Sequence, residues 1–167
     1  EAARIIADAF AELAAVVPGA TKALKSMRFV KDTAKEWGSS RGGSVFAYVE
    51  TARPHMTFNA SLWGDLEKYW VLKRADMSRG WTAGKQGPKS TVIHEFAHVL
   101  DIHRMVPAFS TGFDLPVDQR NEMLTAYAAL AAAEQKMHDK YGFVSGYSKT
   151  NPLERFAEDF LAGFEGK

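Results

Sequence analysis

The chain has 167 residues, 46% of them hydrophobic and 25% charged, and 21 basic against 20 acidic side chains give a formal net charge of +1. That length and balance suit one globular domain, exclude disorder over most of the chain, and give no electrostatic basis for nucleic acid or an anionic membrane as partner. There is no cysteine, which excludes disulfides and thiolate metal sites.

The chain opens on Glu1, with no basic n-region before an apolar signal core, and so reads as a domain of a larger polypeptide or a processed product. Ala2 to Val17 carries apolar residues at helical spacing (Ile5, Ile6, Ala9, Phe10, Leu13, Val16), and Pro18-Gly19 ends that helix. A short strand is predicted over Met27 to Lys31. After Gly42-Gly43, the run from Ser44 to Glu50 is β-rich and apolar on both faces. Met56 to Leu62 is extended again, and a strand beginning just after Pro54 suits a sheet edge. Trp63 to Trp81 mixes charged and aromatic residues without a deciding period. The strongest helix is predicted near Lys89 to His103, followed by a polar loop with Pro107, Gly112 and Pro116.

Val117 to Lys140 is a long alanine-rich helix. Its most apolar stretch, Leu124 to Ala133, falls far short of the roughly 20 residues that cross a bilayer, so no membrane insertion is expected. Gly142 and Gly146 mark a connection, and Asn151-Pro152 opens a last helix to about Phe164. The expected layout is α+β in a single domain over 1–167. Its first part, 1–103, bears a small sheet and the strongest helix, and its second part, 104–167, is helical.

The chemistry centres on His94-Glu95-Phe96-Ala97-His98. Two histidines at i and i+4 lie one turn apart on the same helix face, so both imidazoles can reach one ion while Glu95 points toward the adjoining cleft. Val92, Ile93, Phe96, Val99 and Leu100 gather on the opposite, core-facing side. A solvated histidine pair on an amphipathic helix is the competing reading.

A catalytic zinc needs a third protein ligand. The three-histidine pattern is excluded, because positions 101 and 104 hold Asp101 and Arg104 instead of glycine and histidine. Asp101 shares the histidine face but lies about 10 Å beyond His94 along the axis, which suits second-shell support or packing better than ligation. The better candidates are Glu154 and Glu158, at i and i+4 beside the apolar run Leu153, Phe156, Phe160 and Phe164. One would ligate the metal and the other would accept a hydrogen bond from a ligand imidazole. Here too a plain reading competes: Asn151 as N-cap, Pro152 in the first turn and Glu154 three residues on form a capping box. His55 and His138 read as exposed bystanders.

The His94–His98 motif, together with Tyr147 and the run Glu154-Arg155-Phe156-Ala157-Glu158-Asp159-Phe160, resembles the catalytic domain of the anthrax lethal factor-like zinc metallopeptidases. The likeness is confined to about Thr91–Asp101 and Gly146–Phe160, with Pro152 a departure at the first helical position. It implies a zincin-like fold of the gluzincin type, with His94, His98 and Glu154 as Zn2+ ligands. Glu95 would be the general base, Tyr147 the oxyanion-stabilising group and Glu158 the supporting carboxylate. A protein or peptide substrate would pair with an edge strand, for which Phe58, Asn59 and Ala60 are the candidates. The resemblance also implies a secreted or delivered effector. The alternative is a non-catalytic binding or structural module of a larger toxin or phage protein.

Overall fold

A computed structural model of the chain describes residues 1–19, 22–31, 45–49, 54–109 and 116–166, with the backbone alone at 102–109, 120 and 123. The expected β-rich run from Ser44 to Glu50 thus falls partly outside the described residues. The fold is α+β: a three-stranded mixed sheet in the N-terminal part, then helices.

Helix α1 (Ala2–Val16) buries Ile6, Ala9 and Leu13, one side of its predicted stripe. Strands β1 (Ser26–Val30), β2 (Ala47–Val49) and β3 (His55–Asn59) form a sheet in the order β1-β3-β2, with β1 parallel and β2 antiparallel to β3. The expectation of an edge strand after Pro54 is therefore corrected: β3 is central. Pro54 lies just outside the ladder, where its missing N–H interrupts nothing, and its carbonyl accepts from the Lys25 amide at 3.0 Å. Met56, Thr57, Phe58 and Asn59 are all buried, as a strand covered on both faces requires.

Asn59 ends β3 and caps the short helix α2 (Ala60–Trp63), its side chain accepting from Ser61 N at 3.0 Å. Helix α3 (Leu66–Ser78), capped by Asp65, occupies the stretch whose periodicity decided nothing. Only Tyr69 and Lys73 of this helix are buried, so its apolar face is too narrow to read.

Helix α4 (Pro88–Phe109) begins where predicted and runs past His103 and Pro107. The expected division at 103/104 falls inside this helix. Helix α5 (Val117–Tyr141), a 3-10 turn at Tyr147–Lys149 and helix α6 (Pro152–Phe164) complete the chain.

Helix α4 is the hub, packing on α6, α1, α5 and β2. Val92, Ile93, Phe96 and Val99 are fully buried, in one core with Ile6, Ala9, Leu13, Met56, Phe58 and Leu161. On α6 the predicted stripe is displaced. Leu153, Phe156, Phe160 and Phe164 are only half-buried, and the deepest positions are Arg155, Ala157, Glu158, Leu161 and Ala162. A carboxylate buried as Glu158 is must have its oxygens bonded, and α4 supplies a partner. Among the described residues no helix is long and apolar enough to cross a membrane.

Phe96 meets the edge of Phe10 at 5.7 Å in the centre of this core. Phe96→Ala should destabilise the protein by about 3–5 kcal/mol, the usual cost of removing a buried phenyl ring. An unchanged urea midpoint would show that α4 is not the core helix.

Candidate metal centre

The i, i+4 spacing on α4 sets His94 and His98 side by side, their rings edge to face at 4.9 Å. Helix α6 brings Glu154 to both. Its Oε2 lies 3.1 Å from His94 Nε2 and 3.2 Å from His98 Nε2. The capping and ligand readings of Glu154 prove compatible. Its amide donates to the Asn151 side chain at 2.9 Å, which leaves its carboxylate free to face the imidazoles.

His94, His98 and Glu154 form a group that could hold a metal ion, each offering one ligand atom, all within 4.8 Å of one another. A tetrahedral centre with bonds of about 2.0–2.1 Å has edges of about 3.3 Å, close to the two separations measured here. Two imidazoles and a carboxylate suit a divalent cation. The donor set fits.

Glu158 orients the first histidine. Its Oε1 is 2.9 Å from His94 Nδ1 and also accepts from Thr82 Oγ1, while its Oε2 accepts from the Ala83 amide. A proton held on Nδ1 by this carboxylate leaves the Nε2 lone pair available to a metal. The clamp is buried, with Glu158 only 1% exposed.

Tyr147 stacks on His94 at 5.7 Å and packs against Trp81 at 5.4 Å. Two backbone hydrogen bonds of 2.8 Å, Gly146 N to Gly80 O and Tyr147 N to Trp81 O, tie its turn to the segment after α3. Glu95 is buried and lines the same cleft as His94, His98, Tyr147 and Glu154.

Burial alone would lower the His94 pKa, but hydrogen bonds to Glu154 and Glu158 outweigh it and push the value up to about 10. Burial would raise Glu154, yet its bonds to His94 and His98 carry it well below the usual carboxylate range. Glu158 is also lowered, burial being outweighed by His94 and the Ala83 amide. Glu95 is raised by burial, against the opposing pull of His94, His98 and Lys73. Burial, then the charges of Glu154 and Glu95, raise Tyr147 and keep its hydroxyl protonated.

The remaining sequence candidates lie elsewhere. Asp101 is buried but belongs neither to the metal group nor to the cleft lining. Phe58, Asn59 and Ala60 are not at the cleft either. Phe58 is in the core, and Asn59 is engaged with Val45 O and Ser61 N. The strand that borders the cleft is β2, with Phe46 beside it. His138 is no exposed bystander: it is 3% exposed, with Nε2 2.7 Å from Asp159 Oδ2 and Nδ1 3.0 Å from the Gly142 carbonyl. His55 is half-buried on β3, its ring bonded to Ser26. The sequence reading missed Lys73, a lining residue on α3. The spacing of Tyr69, Leu72, Lys73 and Asp76 along one side of that helix was the available signal.

No protein-family model, curated protein or solved structure matches the chain.

Two predictions rest on this geometry. With metal removed, the protonated His94 contributes stability in full below about pH 6.5 and loses it as pH rises toward about 10. The ionised Glu154 contributes above about pH 4.5 and loses its share as pH falls. Chelator-treated protein should therefore be most stable between about pH 4.5 and 6.5, and a melting-temperature profile still rising above pH 8 would contradict the assignment. Glu158→Gln should weaken metal binding about 10- to 100-fold with the fold retained, as read by competition with a chromogenic chelator.

Proposed function

We propose that the chain is a zinc-dependent endopeptidase domain with a zincin-like fold, related to the lethal factor-like metallopeptidases. The observation that carries this reading is the convergence of His94, His98 and Glu154 from two helices onto one point, with Glu95 in the same cleft. Separation of the ligands by 56 and 60 residues makes an accidental cluster a poor explanation.

In this reading His94, His98 and Glu154 hold the zinc, and Glu158 orients His94. A bound zinc ion would acidify water toward a pKa of about 7 and polarise the scissile carbonyl. Glu95 takes a proton from the attacking water and passes it to the leaving amine. The Tyr147 hydroxyl, protonated and packed against His94, donates to the carbonyl oxygen as negative charge develops there. The outer side of β2, at the end of the described sheet, offers main-chain groups to an extended substrate, a role proposed for β2 in place of Phe58, Asn59 and Ala60.

Glu95→Gln should keep its metal and lose roughly 10²-fold or more in peptide cleavage, the scale of a general base. Glu154→Ala should lose metal as well as activity. Metal analysis of each variant, beside a mixed-peptide digest with and without chelator, checks both. Full turnover by Glu95→Gln would overturn the mechanism, and unchanged metal content in Glu154→Ala would return Glu154 to its capping role.

A further inference from the structure

Lys73 is the one lysine or arginine among the described residues that lines the cleft, and it is only 7% exposed. Its ammonium group lies over the Phe46 ring, 5.4 Å from the centroid. None of its three N–H donors meets a protein acceptor among the described residues. Burial holds the amine below the ordinary lysine range, opposed by the charges of Glu158, Asp76, Glu95 and Glu165.

Three of those four carboxylates are committed elsewhere. Glu158 is bonded to His94, Thr82 and Ala83, and Asp76 pairs with Arg79 at 2.6 Å. Glu165 accepts from the Lys85 amide and the Ser90 hydroxyl. The fourth, Glu95, is the proposed base. For a lysine this buried, with no protein acceptor for its ammonium group among the described residues, an ionised partner is a better match than a neutral carbonyl.

We infer that Lys73 receives a carboxylate of the substrate, so that this cleft selects peptides with Asp or Glu near the scissile bond. The inference rests on the endopeptidase reading above. Phe46 immediately precedes β2, and a peptide paired along β2 directs alternate side chains to opposite faces. One of them comes to lie by Phe46 and the ammonium group. The same chemistry could come from a free C-terminal carboxylate, which would make the enzyme trim chain ends.

The test compares peptides with both termini blocked, bearing Asp or Glu, their Asn or Gln twins, or Lys at each position near the cut, with an unblocked neutral peptide as the end-trimming arm. In Lys73→Met, the ratio of kcat/KM on acidic peptides to that on their twins should fall about 10-fold or more, the scale of a charge-assisted hydrogen bond, beyond any change common to all peptides from removing a charge near Glu95. Lys73→Glu should move the preference to Lys. Cleavage favoured by the free terminus alone would assign Lys73 to that group and overturn the side-chain preference. An equal fall on all peptides, or none, would also overturn the inference, the former making Lys73 a counter-charge for the neighbouring carboxylates. The melting temperature of Lys73→Met should hold or rise, since a largely buried charge gives way to an apolar side chain of similar length.

Calorimetric titration of Glu95→Gln protein separates this inference from the one beneath it. Acidic peptides should bind at least about tenfold more tightly than their twins, and the added Lys73→Met change should abolish the difference. Discrimination in binding without cleavage by the native chain would sink the endopeptidase reading and leave the Lys73 subsite standing. Cleavage without discrimination would do the reverse.

Discussion

Glu158 lies between α4 and α6 at 1% exposure, and a carboxylate so placed is tolerable only while its oxygens are bonded. His94, Thr82 and Ala83 supply those bonds, from α4 and from the segment that leads into it. One side chain thereby joins three pieces of chain and sets the face that His94 turns toward Glu154. Were the Glu158 contact to shift by one helical residue, a rotation of about 100°, His94 would lose its orienting partner and Glu154 would leave the imidazoles. The metal group is thus a consequence of helix register. That register is held at the far end of α6 as well, where Glu165 bonds the Lys85 amide and Ser90 at the start of α4.

The segment from Gly80 to Gly84 carries the remaining burden. Gly80 and Trp81 bond the turn that holds Tyr147, while Thr82 and Ala83 bond Glu158. At Gly84 a Cβ would come 2.5 Å from the Ser90 side chain, so the chain can pass so close to α4 only with glycine there. The sheet contributes through β2, which borders the cleft while β3 and its buried side chains fix it to the core. A supporting cluster stands behind α6: Phe143 stacks on His138 at 4.8 Å and lies beneath the Arg155 guanidinium at 5.2 Å, while His138 reaches Asp159. This cluster connects the end of α5 to the helix that carries Glu154 and Glu158.

Where a residue's role depends on local spacing, it was legible in the sequence. The i, i+4 histidines, the apolar arc of Val92, Ile93, Phe96 and Val99, and the Asn151 cap all follow from helical geometry alone. Pairing across the chain was less legible. Pro54 suggested an edge strand, but proline one residue before a ladder is equally compatible with a central strand, and only β1 and β2 on either side decide between them. The aromatic residues of α6 looked like its buried stripe, since hydrophobicity cannot register that Glu158 would find three partners. Helix α3 gave no period because its buried side includes a lysine, and His138 looked exposed because Asp159 is distant in sequence. Two of these failures, at Glu158 and His138, involve a polar group buried through partners from another element.

Those buried polar groups bear on what the architecture is for. Helix α6 turns Glu154, Glu158 and Glu165 toward α4, where leucine or methionine would pack at least as stably, because desolvating ion pairs consumes most of what their attraction returns. Carboxylates at these positions hold orientation in a way apolar contacts do not, since a hydrogen bond fixes both distance and direction. The contrast on α4 makes the same point. Its core side is apolar and tolerant of repacking, and its other side presents His94, Glu95 and His98 to acidic partners. A helix built for stability alone would need only the first of these sides. The second is intelligible as a group held in register where it could hold a metal ion, at some cost to the stability of the chain that carries it.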